Sequence, residues 1–326
     1  METDKQPWAV VLAAGSGNRL SSLTVDQRGT AVPKQFCSLS DERTLLEDTL
    51  ARAARITGVT RTTAIVAAQH SQWWQPQLAS LPPHNVVAQP LNRGTAVGIL
   101  LMALHIHQRD PNASLVFLPS DHFIRDEAAI SACLLRGLRH LHEEPDALLL
   151  LGITPEEPDS ELGYIVPRDP LGEGVFTVRE FIEKPSRASA EALLAAGAVW
   201  NSFIFTVRAA TLLDLFAQHH APLVARLRLA LTRDAWRTYG GASLAAVYGT
   251  LDDADFSRDL LAGNERTLRL LPAPRCGWTD LGTPARVGRC VQQLGMRQTA
   301  RSTQSNARPA HFLNLANAYS RLGVAV

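Results

Sequence analysis

Short apolar runs, each cut off by a polar or glycine-bearing turn, recur through the first half of the chain. Residues 9–14 form one such run and stop at Gly15-Ser16-Gly17, which predicts a buried strand rather than a helix. Similar runs predict strands over 62–68, 85–88, 114–118 and 147–152. Between them the pattern predicts helices over 44–56, where Leu45, Leu46 and Leu50 share a face, and over 69–81, 95–107 and 126–142. Strand and helix alternate across short connections, which predicts an α/β fold with a doubly wound, mostly parallel sheet.

The rhythm changes after residue 152. Residues 163–167 and 175–182 are strand-like with no helix between them, followed by a short helix over 189–196 and a strand over 200–207. Two apolar helical segments come next, at 209–219 and 221–233, and ordered segments at 256–261, 267–271 and 284–294 complete the pattern. The expected organisation is one domain over 1–295, with a first half to about 152 and a second half from 153 that carries an insertion. Residues 296–326 then form a linker and tail; 297–311 lack any large apolar residue, and 312–322 suit a short terminal helix.

Composition narrows the classes. The net charge is +1, from 32 basic and 31 acidic residues, so nothing general draws this chain to nucleic acid or to a membrane. No apolar run approaches the roughly 20 residues a bilayer requires, and the N-terminus does not read as a signal peptide. Cys37, Cys133, Cys276 and Cys290 are widely spaced, as expected of reduced thiols in a cytoplasmic protein. Lysine occurs only at Lys5, Lys34 and Lys184, against 29 arginines. Lys34 and Lys184 both adjoin a proline in compact motifs, where a small ammonium suits a crowded phosphate site.

In an open parallel sheet, ligands bind beyond the carboxyl ends of the strands. Three motifs fall there. Leu12 and Ala14 end the first strand, and Gly15, Ser16 and Gly17 let backbone amides approach an anion, with Arg19 and Lys34 supplying positive charge. Gln89-Pro90 and Arg93-Gly94-Thr95-Ala96 follow the third strand, and Pro119-Ser120-Asp121-His122 the fourth. Asp121 is a reasonable Mg²⁺ ligand, a second carboxylate being available at Asp280 in Gly277-Trp278-Thr279-Asp280-Leu281-Gly282. Asp121 also reads as a turn cap, and the glycines around Asp280 as an ordinary strand-to-helix turn. Glu183, Lys184 and Asn201, with Gly163, could meet a sugar phosphate, though each also suits a plain surface. The histidines form no site by spacing. No Walker loop is present, and a dinucleotide fingerprint fails at Leu20.

The ordered set AAGSGNRL, PKQF, QPLNRGTA, FLPSDH, GYI, FIEKP, WNSFIF and GWTDLGT, over about residues 8–290, resembles the sugar-phosphate nucleotidyltransferases, and among them the mannose-1-phosphate guanylyltransferases. The resemblance implies a Rossmann-like nucleotide-diphospho-sugar transferase fold with a sugar-binding insertion. It implies that a sugar 1-phosphate, here mannose 1-phosphate, attacks the α-phosphorus of a nucleoside triphosphate, here GTP, and releases pyrophosphate. Arg19, Lys34 and Asp121 would be catalytic, with Asp121 and Asp280 holding Mg²⁺. Leu12, Ala14, Gly15, Ser16, Gly17, Gln89, Gly94 and Thr95 would bind the nucleotide, and Gly163, Glu183, Lys184 and Asn201 the sugar phosphate. A homodimer is compatible with this reading. Three departures stand out: Arg93-Gly94-Thr95-Ala96-Val97 stands where Arg-Asn-Thr-Ala-Pro is familiar, Phe203 replaces the glycine often found after Asn-Ser, and Ser21-Ser22 with a longer loop to residue 32 replaces a Trp-Pro segment, a loop that either closes over the triphosphate as a lid or runs along the surface. Transfer with another base or sugar, and a catalytically silent nucleotide-sugar-binding regulator, are the alternatives. No β-helix or cupin-like segment follows, so a fused isomerase is not expected.

Overall fold

A computed structural model describes residues 6–17, 20–21, 23–26, 29–39, 43–298 and 313–321 of the chain. The first apolar run is strand β1 (Trp8–Ala13), which pairs in parallel with β2 (Thr62–Ala67) on one side and β4 (Ser114–Pro119) on the other. The short β3 (Val86–Gln89) extends the sheet beyond β2. Helices α1 (Leu45–Thr57), α2 (Ser71–Gln77), α3 (Gly94–Arg109) and α4 (Glu127–Glu143) fill the connections. Their starts are written locally. The Thr44 hydroxyl accepts the Glu47 N–H at 3.2 Å while the Glu47 carboxylate accepts the Thr44 N–H at 2.9 Å, and Asp126 caps Ala129 at 2.9 Å. Helix α2 is shorter than the predicted 69–81: a tight turn over Ala68–His70 replaces its start, and Pro76, which has no N–H to donate, stands in its last turn.

The second half contributes β5 (Leu148–Ile153), β6 (Tyr164–Gly172), β7 (Val175–Ile182), α5 (Arg187–Ala195), β8 (Val199–Arg208), α6 (Ala209–Arg233), α7 (Ala242–Tyr248), β9 (Leu268–Pro272), α8 (Pro284–Gln298) and α9 (Leu315–Arg321). All strands join one sheet in the order β3-β2-β1-β4-β8-β5-β9-β7-β6. β7 and β8 run against the others, and β8 lies antiparallel between β4 and β5. The later segments are therefore woven into the same sheet as the first half. The two helices predicted at 209–219 and 221–233 are one run, broken at His220 (φ −138°) two residues before Pro222. Helix α7 has no counterpart in the sequence reading, and the segment at 256–261 is a wide helical turn over Ser257–Leu261.

Side chains of the central strands alternate between two apolar layers. Val10, Leu115, Phe117, Leu148 and Leu150 face the layer of α3, α6 and α7. Val11, Val116, Leu118, Leu149 and Leu151 face that of α1, α4 and α8. A smaller cluster of Leu162, Tyr164, Val166, Ala190, Ala198 and Trp200 supports the β6–β8 region. The described part of 20–32 is a small hairpin, with Val25 bridged to Ala31 and Leu20, Leu23 and Val32 buried. None of its described residues lines the cleft. Most of the predicted 297–311 linker lies outside the described residues, whereas α9 docks through Ser38, whose N–H donates to Leu313 at 2.9 Å. Among the described residues no helix is long and apolar enough to cross a membrane.

Candidate active site

A cleft of about 420 Å³ opens at the carboxyl ends of β1, β3 and β4 and is closed on its far side by β6–β8 and residues 255–257. Its first wall starts where β1 ends. Gly17 has φ +64°, and a Cβ there would stand 2.8 Å from the backbone nitrogen of Lys34, so only glycine permits this approach. The Gln35 carboxamide fixes the turn by donating to Ala13 O at 3.1 Å and Gly15 O at 2.8 Å. Ser120 ties the neighbouring strand end to it, its hydroxyl donating to Leu12 O at 2.7 Å.

Lys34 joins this wall to the acidic residues. It is 4% exposed, and its ammonium pairs with Asp121 Oδ2 at 2.9 Å and donates to the backbone carbonyl of Asp280 at 2.6 Å. Burial alone would push the Asp121 carboxyl up; the Lys34 charge, helped by His122, overrides it and holds the group down at about 2. Asp280 is buried just before Leu281, a residue at φ +50°. Its Oδ1 accepts from the Gly282 N–H at 3.0 Å and from Arg286 at 2.6 Å. Arg286 also pairs with Asp159 and lies 5.6 Å from the Trp200 ring centre. Both carboxylates line the cleft. Among the described residues no group of three or more histidines, cysteines or carboxylates converges. Two aspartates lining one cleft offer the hard oxygen donors that suit Mg²⁺, which takes few protein ligands and completes its shell with water and phosphate.

Beyond the first wall lies Gln89, 2% exposed, whose Oε1 finds no hydrogen-bond partner among the described residues. Gly98 makes room for it, a Cβ there coming within 3.3 Å of that oxygen. Gly94 has φ +80°, and a Cβ would meet Ala254 O at 2.2 Å. The Thr95 hydroxyl accepts the Phe256 N–H at 2.8 Å. The turn that opens α3 is thus stitched to residues 254–256, far away in sequence.

On the opposite wall, a Cβ on Gly163 would come within 2.6 Å of Glu183 Oε2 and 3.4 Å of the Asn201 Cβ, so these three residues meet at one point. The Asn201 N–H donates to Gly163 O at 2.7 Å. Lys184 holds φ +47° directly before Pro185, a conformation that the proline disfavours. Burial, then the nearby Asp255 charge, pushes the Glu183 carboxyl up, against Lys184 and a hydrogen bond from Ser257.

Of the residues singled out from sequence, Leu12, Ala14, Gly15, Gly17, Gln89, Gly94, Thr95, Asp121, Gly163, Glu183, Lys184, Asn201 and Asp280 line the cleft. Lys34 sits just behind its surface, and Ser16 lies on the turn outside the lining. Arg19 lies outside the described residues. Sequence reasoning passed over Gln35, Asp255, Ser257 and Arg286. Gln35 stood inside a quoted motif and could have been found there; Asp255 and Ser257 carry no local signal.

The topology and this two-walled cleft define an α/β protein whose site lies beyond the carboxyl ends of a mostly parallel sheet. The chain belongs to the nucleotidyl transferase family, which it matches over residues 8–292. It is 31% identical to the alginate biosynthesis protein AlgA of Pseudomonas aeruginosa over 280 residues, covering 84% of this chain and 56% of that protein. It is 30% identical to the mannose-1-phosphate guanylyltransferase of Escherichia coli, covering 85% of this chain and 58% of that one. The chain thus spans little more than half the length of these curated relatives. Among solved structures, it resembles one described as mannose-1-phosphate geranyltransferase from Thermus thermophilus, with a TM-score of 0.73 and 30% identity over 87% of this chain and 79% of that one.

Proposed function

We propose that this chain transfers a nucleotidyl group from a nucleoside triphosphate to a sugar 1-phosphate and releases pyrophosphate. The observation that carries the proposal is the cleft itself, in which the glycine turn and the Lys34–Asp121 pair face the Gly163–Glu183–Asn201 cluster. The relatives' names support GTP and mannose 1-phosphate as the substrates and GDP-mannose as the product. The buried Gln89 acceptor supports a base with an N–H edge, which guanine, uracil and thymine all offer.

The attacking oxygen belongs to a phosphate that is already anionic, so no protein base is needed. Positioning and charge carry the step. The glycine-turn amides and Lys34, with Arg19, receive the triphosphate, and the ammonium offsets charge that grows on the departing pyrophosphate. Glu183, Lys184 and Asn201 orient the sugar phosphate toward the α-phosphorus. Asp121 and Asp280 would hold Mg²⁺, which neutralises phosphate charge when bound.

The test is a pyrophosphate-release screen that crosses nucleoside triphosphates with hexose 1-phosphates, with and without Mg²⁺. The expected result is fastest release with GTP and mannose 1-phosphate, dependent on Mg²⁺. Release from no pair, alongside tight nucleotide-sugar binding, would replace the enzyme with a silent binding protein. Faster release with dTTP or UTP would move the assignment to another base.

A further inference from the structure

Strand β8 is interrupted at the cleft. Its pairing with β5 runs Leu149↔Thr206 and Leu150↔Phe205, then jumps to Gly152↔Asn201 and Ile153↔Trp200, so residues 202–204 bulge out of the ladder. The bulge is held by hydrogen bonds. Ser202 Oγ donates to Leu151 O at 2.6 Å and accepts the Ile204 N–H at 3.1 Å, while Asn201 Oδ1 accepts the Phe203 N–H at 3.0 Å. At its crest Phe203 takes φ +58°, a left-handed conformation that costs a bulky residue steric strain. Bulges next to a site re-aim a side chain, and this one turns Phe203 into the cleft lining.

The ring is also fixed from below. Phe117, Phe205 and Phe256 stack in a column, with ring centres 4.4 and 4.9 Å apart. Phe203 caps that column edge-on, 6.3 Å from Phe205 and 6.1 Å from Phe256. It thus stands between Asn201, on the sugar wall, and Phe256, whose N–H is tied to Thr95 on the nucleotide wall.

We infer that Phe203 determines which hexose 1-phosphate this cleft accepts, by packing its ring against the C–H face of the acceptor sugar. A pyranose with no axial hydroxyl on that face can lie on an aromatic ring. In mannose the axial 2-hydroxyl occupies the other face, so the ring meets the face of the C3 and C5 hydrogens; a hexose with an axial hydroxyl at C3, or one turned over to present an axial 2- or 4-hydroxyl, would drive that hydroxyl against the ring and lose its water without gaining a partner. Asn201 serves the same arrangement, since the Phe203 N–H held on its Oδ1 fixes the carboxamide and leaves its Nδ2 to donate to the sugar. This inference rests on the proposed sugar 1-phosphate chemistry and names the residue that selects within it.

The experiment compares wild type, Phe203→Gly and Phe203→Leu across a panel of hexose 1-phosphates. It reads pyrophosphate release, KM for both substrates, and nucleotide-sugar binding by calorimetry. Phe203→Gly is expected to raise the KM of the preferred hexose 1-phosphate about tenfold and to flatten the ranking of hexoses. The KM for the triphosphate should stay within about twofold, because only uniform binding of the sugar is lost. Glycine adopts the left-handed backbone without penalty, so the melting curve should remain cooperative; Phe203→Leu keeps the apolar volume and should fall between the two. Unchanged hexose ranking and KM in both variants, or equal changes for both substrates, would overturn the inference and reduce Phe203 to packing. Neither turnover nor binding of any hexose phosphate or nucleotide-sugar by wild type would overturn the proposed function as well.

Discussion

Asp121 and Glu183 line the same cleft from opposite walls, yet their surroundings drive their carboxyls in opposite directions. At Asp121 burial is outweighed by the Lys34 ammonium 2.9 Å away, and the carboxyl titrates at about 2. At Glu183 burial prevails, the Asp255 charge adds to it, and Lys184 does not compensate. One wall therefore carries a charge pair, which suits the phosphates and hard cation proposed for it. The other offers a carboxyl closer to neutrality among hydrogen-bonding groups, which suits the proposed sugar hydroxyls. Environment divides the labour between two side chains of the same chemistry.

The comparison breaks most completely where charge is removed. Asp121→Asn and Lys34→Met are each expected to lower the rate of pyrophosphate release by about 10²–10³-fold or more, with circular dichroism unchanged. A rate within a few-fold of wild type would take that residue out of the phosphate wall.

A smaller effect separates the walls by sign. Asp121 titrates below its unfolded value, so its pairing stabilises the fold above about pH 4 and is lost between about pH 4 and pH 2. The stability gap between wild type and Asp121→Asn, read from urea melts, should be full at pH 7 and narrow below pH 4. Glu183 is raised, so keeping it ionised costs stability at high pH. Glu183→Gln should gain over wild type at pH 8 and lose that gain as the pH falls toward about 4. Gaps of the same sign would show that the two environments do not differ as described.

The first wall was the more legible in sequence. A strand ending in Gly15-Ser16-Gly17, a lysine in Pro33-Lys34-Gln35 and an aspartate ending another apolar run are local patterns, and parallel strands bring their ends together. Much of the second wall depends on contacts that no local pattern records. The insertion of β8 between β4 and β5 is a sheet-wide choice. Asp255 and Ser257 reach the cleft because residues 254–256 bind back to the turn opening α3. Arg286 meets Asp159 across more than a hundred residues. Phe203 reads as an ordinary strand phenylalanine, since its left-handed backbone follows from the Ser202 and Asn201 hydrogen bonds. Helix α7 is only seven residues long and follows paired glycines, too short for a periodic signal.

The proposed division into a phosphate wall and a sugar wall is tested most directly by steady-state kinetics of Glu183→Gln with both substrates varied. The expected result is a KM for the sugar 1-phosphate raised about tenfold and a KM for the triphosphate within about twofold of wild type. An equal or larger rise in the KM for the triphosphate would contradict it, because Glu183 would then serve the nucleotide and the two walls would not be separate.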